Sequence, residues 1–198
     1  MLLPTECLLV HEYRPDYRSV LNTYSIVLIP KNASSWIKNV VVGTVQGIDH
    51  FNQNTVCILR DPIDRWTVGV AEFLMSSIGK SWTVEQVIER FLEDNECLDI
   101  HTLPQIEFVQ KLDLHNTTWF YLNENFTQQF YKWTDYNRIT LNRRIQHNTN
   151  SSLKNPQKLK LVKFYQDYLE KNPIAKQKIL NFYKQDYDLI SGVKFYGN

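Results

Sequence analysis

The stretch YSIVLIPKNASSW, residues 24–36, decides how the chain folds. Tyr24 to Ile29 is short, apolar and rich in β-branched side chains, the pattern of a strand buried on both faces. Pro30 cannot donate to a sheet ladder and ends the run. Ser34 and Ser35 are N-cap candidates for a helix over Trp36 to Thr44. A helix N-terminus presents free N–H groups and a positive dipole end, which favour an anion. Lys31 adds a point charge, Ser34 and Ser35 add hydroxyls, and small Ala33 allows close approach of the backbone. The same residues also fit a capped helix after a buried strand, and spacing alone does not separate the two readings. The segment is not a Walker A loop, because GxxxxGK[ST] is absent.

Further along, CILRDPIDRW (residues 57–66) repeats the strand-to-helix junction. Thr55 to Leu59 reads as a second buried strand. Asp61 and Pro62 read as N-cap and first-turn proline. Ile63, Trp66, Val70, Phe73 and Leu74 then fall at helical spacing. Arg60 leaves the strand end, where its planar fork suits a phosphate. The alternative is that Arg60 and Arg65 pair with Asp61 and Asp64, and for Arg65 that pairing is the expectation. Val84 to Leu92 predicts a helix and Thr118 to Leu122 a third strand. Leu159, Val162, Tyr165 and Leu169 form one helical stripe, and Leu180, Tyr183, Tyr187 and Ile190 another. Gln146 to Asn155 is a polar loop. The expected fold is α/β: a P-loop-like central parallel sheet flanked by helices, with a helical C-terminal third, in one domain over residues 1–198. Ligands of such sheets bind beyond the carboxyl ends of the strands, where residues 31–35 and 60–65 lie.

Together these two segments resemble the sulfotransferase superfamily that uses 3′-phosphoadenosine 5′-phosphosulfate (PAPS). PKNASSW is similar to its 5′-phosphosulfate loop, and LRDPIDRW to its 3′-phosphate motif. Two further stretches resemble the carbohydrate branch. Asp99 to Gln105 (DIHTLPQ) is similar to its Asp-x-His-x-x-Pro-Gln segment. Tyr183 to Ile190 (YKQDYDLI) is similar to its terminal helix. The resemblance implies transfer of a sulfuryl group from PAPS to an acceptor hydroxyl, on a carbohydrate, leaving 3′-phosphoadenosine 5′-phosphate (PAP). It implies that Lys31 stabilises the leaving phosphate and that Asn32, Ala33, Ser34 and Ser35 hold the 5′-phosphate. Arg60 would hold the 3′-phosphate, and Lys154 would add a charge from the later cofactor segment. The family places a Ser eight residues after the first Arg. Here that position is Val68, with Thr67 beside it, so the expected hydroxyl contact to the 3′-phosphate is missing or moved to Thr67. For the general base, His50 ranks slightly above His101, and Glu72 is a third candidate. No metal is implied.

The bulk properties are those of an ordinary globular domain. A 43% hydrophobic fraction is enough to build a core. A formal net charge of +1 argues against a general nucleic-acid binder. Three Cys at 7, 57 and 97, without CxxC spacing, favour reduced thiols. No apolar run reaches membrane-spanning length and residues 1–12 lack the pattern of a signal peptide, so the expected setting is cytoplasmic, with no membrane partner. Two rival readings are a nucleotide kinase, which the missing Walker glycines disfavour, and a non-catalytic PAP- or glycan-binding module on the same scaffold.

Overall fold

A computed structural model describes residues 16–20, 24–41, 44–46, 54–76, 79–94, 96–110, 112–142 and 155–197. In chain order the strands are β1 (Asp16–Val20), β2 (Tyr24–Leu28), β3 (Thr44–Gln46), β4 (Asn54–Leu59) and β5 (Thr117–Tyr121). The helices are α1 (Ser34–Val40), α2 (Pro62–Met75), α3 (Val84–Ile88), α4 (Ile106–Val109), α5 (Phe126–Tyr136), α6 (Pro156–Lys171), α7 (Pro173–Phe182) and α8 (Lys184–Gly192). The fold is mixed α/β, with one five-stranded sheet of order β3-β1-β2-β4-β5.

Only half of that sheet is parallel. β2, β4 and β5 run together, with Ile26 opposite Val56 and Val56 opposite Thr118. β1 is antiparallel to both β2 and β3. The expected parallel sheet is therefore confined to three strands. The sequence DYRSV of β1 lacks the apolar run that marks a buried strand, so its pattern predicts no strand.

The apolar strands are explained by their two covered faces. Ile26, Leu28, Val56, Ile58 and Phe120 point to one side and pack with Trp36, Ile37, Phe126, Phe130 and Trp133 of α1 and α5. Val27, Ile29, Cys57, Leu59 and Trp119 point to the other and meet Phe108, Val109 and Leu189 of α4 and α8. The period of two follows from the pleat, and both sets are apolar because neither face sees water. A separate helical core joins Trp66, Val70, Val87, Phe91, Tyr165, Leu169, Ile179 and Tyr183.

Several boundaries differ from the sequence expectation. α1 ends at Val40, and Thr44 starts β3. Neither Ser34 nor Ser35 is the N-cap; Ala33 is, in a left-handed conformation without a side-chain cap. Val84 to Ile88 is α-helical, but Glu89 to Glu93 forms a π-helical turn. The stripe from Leu180 to Ile190 is split between α7 and α8, with buried Tyr183 at the junction. The stripe on α6 starts at buried Lys158, not at Leu159, which is 44% exposed. Residues 156–192 form three helices, α6 to α8, as expected. Among the described residues no helix is long and apolar enough to cross a membrane.

Candidate functional site

The two loops expected to bind phosphate follow β2 and β4, which are neighbouring parallel strands, so both emerge at the same sheet edge. Arg60 Nη1 lies 3.4 Å from the Lys31 carbonyl oxygen. The second loop is built by local rules. Asp61 accepts a hydrogen bond from the Asp64 amide at 3.0 Å, and Pro62 sets the first turn. The first loop is not. Lys31 (φ 68°) and Ala33 (φ 62°) both adopt the left-handed region, which disfavours side chains.

Tertiary contacts hold that shape. Asn32 is 1% exposed, and its Nδ2 donates to the Ile58 carbonyl at 2.8 Å and to Gln105 Oε1. Gln105 in turn brackets Arg60: its Oε1 accepts from Arg60 N at 3.0 Å, and its Nε2 donates to Arg60 O at 2.9 Å. Asp186 of α8 accepts from the amides of Gln105 and Ile106, each at 2.8 Å. Burial pushes the Asp186 carboxyl up, against those two amide bonds and the charge of Arg65. The Tyr183 hydroxyl donates to the Thr102 carbonyl.

Arg65 corrects its sequence assignment. It does not pair with Asp61 or Asp64. It is 1% exposed and donates to three main-chain carbonyls, Pro30 (3.0 Å), Leu103 and Ile100 (3.3 Å). Burial lowers its pKa, yet a guanidinium stays charged in proteins. The cation therefore ties the first loop to the 99–105 segment through α2. The four motif segments converge here: residues 30–36, 60–66, 99–105 and 183–190 are joined by side chains of Asn32, Arg65, Gln105, Tyr183 and Asp186.

The cations facing this edge have distinct surroundings. Lys31 Nζ lies 3.1 Å from Glu72 Oε2. Lys158 Nζ of α6 donates to the same oxygen. Burial lowers the Lys31 pKa, the charge of Lys158 lowers it further, and Glu72 opposes both. Burial works to raise the Glu72 pKa, but its contacts with Lys158 and Lys31 prevail and hold it at about 2. A carboxyl at that value is a poor base near neutral pH. Burial also lowers the pKa of Arg60, opposed by the charges of Asp64 and Asp61.

His101 sits beside Asp99. Its Nδ1 is 2.7 Å from Asp99 Oδ2, and its amide donates to Asp99 Oδ1 at 2.8 Å. The corner rests on α2, because a Cβ at Gly69 would lie 2.4 Å from the His101 carbonyl oxygen. Asp99 is also near enough for its charge to raise the pKa of Lys31. Ser34 is half-buried and Ser35 exposed at the first turn of α1. Thr67 is fully buried and donates to the Asp64 carbonyl at 3.0 Å, and Val68 is buried beside it. His50 and Lys154 lie outside the described residues.

Sequence reasoning missed Lys158 and the roles of Gln105 and Asp186. A signal existed for two of them. Lys158 lies four residues before Val162 on the buried face of α6, and Asp186 lies three after Tyr183 on the buried side of α8. A charge on an apolar face needs a partner. Comparison with protein-family models, with curated proteins and with solved structures finds no match to this chain.

Proposed function

We propose that the chain is a PAPS-dependent sulfotransferase on a P-loop-like sheet, acting on an acceptor hydroxyl of a carbohydrate. The observation that carries this reading is the meeting of the two loops: Arg60 Nη1 stands 3.4 Å from the Lys31 carbonyl at the carboxyl ends of β2 and β4. That contact joins the Arg60 guanidinium to the Lys31 main chain, so each loop brings one cation to the same sheet edge, which suits a ligand phosphorylated at two positions. The donor set fits PAPS in part. Ser34 and Ser35 present donors at the helix start, and half-buried Lys31 and Arg60 present cations, whereas Asn32 Nδ2 and the Thr67 hydroxyl are engaged within the protein and Asn32 Oδ1 is buried without a partner among the described residues. Asn32 shapes the loop and leaves binding to its neighbours.

When bound, PAPS supplies an activated sulfuryl group and a phosphate leaving group. Lys31 would place positive charge against the leaving oxygens, and Arg60 would hold the 3′-phosphate. In this reading His101 Nδ1–H donates a hydrogen bond to the Asp99 carboxylate, which leaves Nε2 to accept the proton of an acceptor hydroxyl. His101 takes the base role in this reading, with His50 as its rival. Glu72 is set aside by its contacts with two lysines.

The test is thermal unfolding of the full chain with PAP, with AMP and alone. PAP at about 100 times its dissociation constant adds roughly 2.7 kcal/mol, a rise of about 5–10 °C in Tm. The expected result is a rise with PAP, none with AMP, and loss of the rise in Lys31→Glu. No shift at millimolar PAP sinks the reading. A PAP shift without sulfuryl transfer to any carbohydrate, in the presence of intact His101 and His50, replaces it with a binding module.

A further inference from the structure

Three elements bring Lys31, Glu72 and Lys158 to one point: the loop after β2, the C-terminal part of α2 and the first turn of α6. A single carboxylate oxygen, Glu72 Oε2, serves both ammonium groups. Lys158 is 3% exposed, which is rare for a lysine and costly without a counter-charge. Two cations facing one anion leave a positive excess in a partly desolvated place. Asp99 acts on Lys31 only at longer range, and its own carboxylate is engaged by His101. The three side chains also differ in freedom. Lys158 and Lys31 side chains are 4% and 14% exposed, and Glu72 is 38% exposed. Glu72 alone has solvent to swing into.

We infer that Lys31 and Lys158 form a seat for a doubly charged oxyanion, a sulfate or phosphate group, which the Glu72 carboxylate fills in the free protein and yields to the ligand. A dianion in place of Glu72 balances the two ammonium charges. The seat assigns Lys158 a binding role. It shares Lys31 with the sulfotransferase reading but does not depend on which nucleotide carries the anion.

Calorimetric titration of the full chain with inorganic pyrophosphate at fixed ionic strength tests it. Glu72→Gln removes the resident anion and is expected to bind about ten-fold tighter than the wild type, the scale of one lost like-charge contact. Glu72→Asp keeps the charge on a shorter arm and falls between them. Adding Lys158→Met to Glu72→Gln erases the gain. Equal or weaker binding by Glu72→Gln, or a gain that survives Lys158→Met, overturns the seat. Should Glu72→Gln fail to fold, sulfate provides the second readout: it raises the Tm of the wild type above ionic-strength-matched chloride but not that of Lys158→Met. Equal rises in both proteins also overturn it. The PAP and AMP comparison is separate, so loss of nucleotide specificity and loss of the seat are distinguishable.

Discussion

The two loops at the carboxyl edge of the sheet do similar work by different means. The loop after β4 is written locally: Asp61 caps, Pro62 starts the helix, and Arg60 leaves the strand. The loop after β2 has no side-chain cap, and two of its residues, Lys31 and Ala33, carry positive φ. Each such residue costs on the order of 1 kcal/mol. Its shape comes from side chains far away in sequence, Asn32 to Gln105 and Arg65 to Pro30. The helix start after β4 is therefore set locally, with Gln105 adding a long-range hold on Arg60, whereas the turn after β2 depends on the finished fold.

Mutations that break this contrast should differ in size. The largest loss belongs to Arg65→Met, which leaves the carbonyls of Pro30, Leu103 and Ile100 without their donor. We expect about 3–5 kcal/mol of destabilisation in urea unfolding, with loss of any PAP-dependent Tm rise. Asn32→Ala comes next, at about 2 kcal/mol, because the buried Ile58 carbonyl loses its side-chain donor. This variant tests the first loop alone. Asp61→Ala removes one helix cap and should cost about 1 kcal/mol by the same measurement. If Asp61→Ala proves costlier than Asn32→Ala, the contrast between the loops is wrong.

The smallest effect is one of pH. The folded-state pKa of Glu72 is depressed to about 2, so its contribution to stability is present above the unfolded carboxyl value and fades as pH falls toward 2. The stability gap between wild type and Glu72→Gln should be level above pH 5 and shrink below it. Glu72 is more than a third exposed, so solvent screening keeps the effect modest. A gap that is flat from pH 6 to pH 2.5 in a series of urea melts contradicts the assignment.

The apolar half of the molecule was legible in sequence. YSIVL and TVCIL are strands because both faces are covered, and a continuous β-branched run reports that directly. The cap at Asp61 was legible for the same reason, since its partner is three residues away. What stayed hidden depends on long-range pairing. Arg65 looked like a partner for nearby acids, and only the folded chain brings Pro30, Ile100 and Leu103 to it. The αL turn at Lys31 and Ala33 has no glycine to announce it. Lys158 was visible as a charge on an apolar stripe, but which acid it meets, 86 residues away, is a property of the packing of α6 on α2. Of the candidate site, the loops could be read and their fastening could not.

Asp186 reaches back 81 residues to the amide of Gln105. On a ribosome adding about 5–20 residues each second, that amide waits on the order of ten seconds for its acceptor. Until then the main chain at Gln105 lacks its acceptor, and the bent loop after β2 rests on Asn32 and Arg65 without a fixed Gln105. A nascent chain halted before Asp186 thus has the sequence of its parallel strands but lacks the carboxylate that holds Gln105, so the 99–105 corner should become fixed only after the sheet strands have been made.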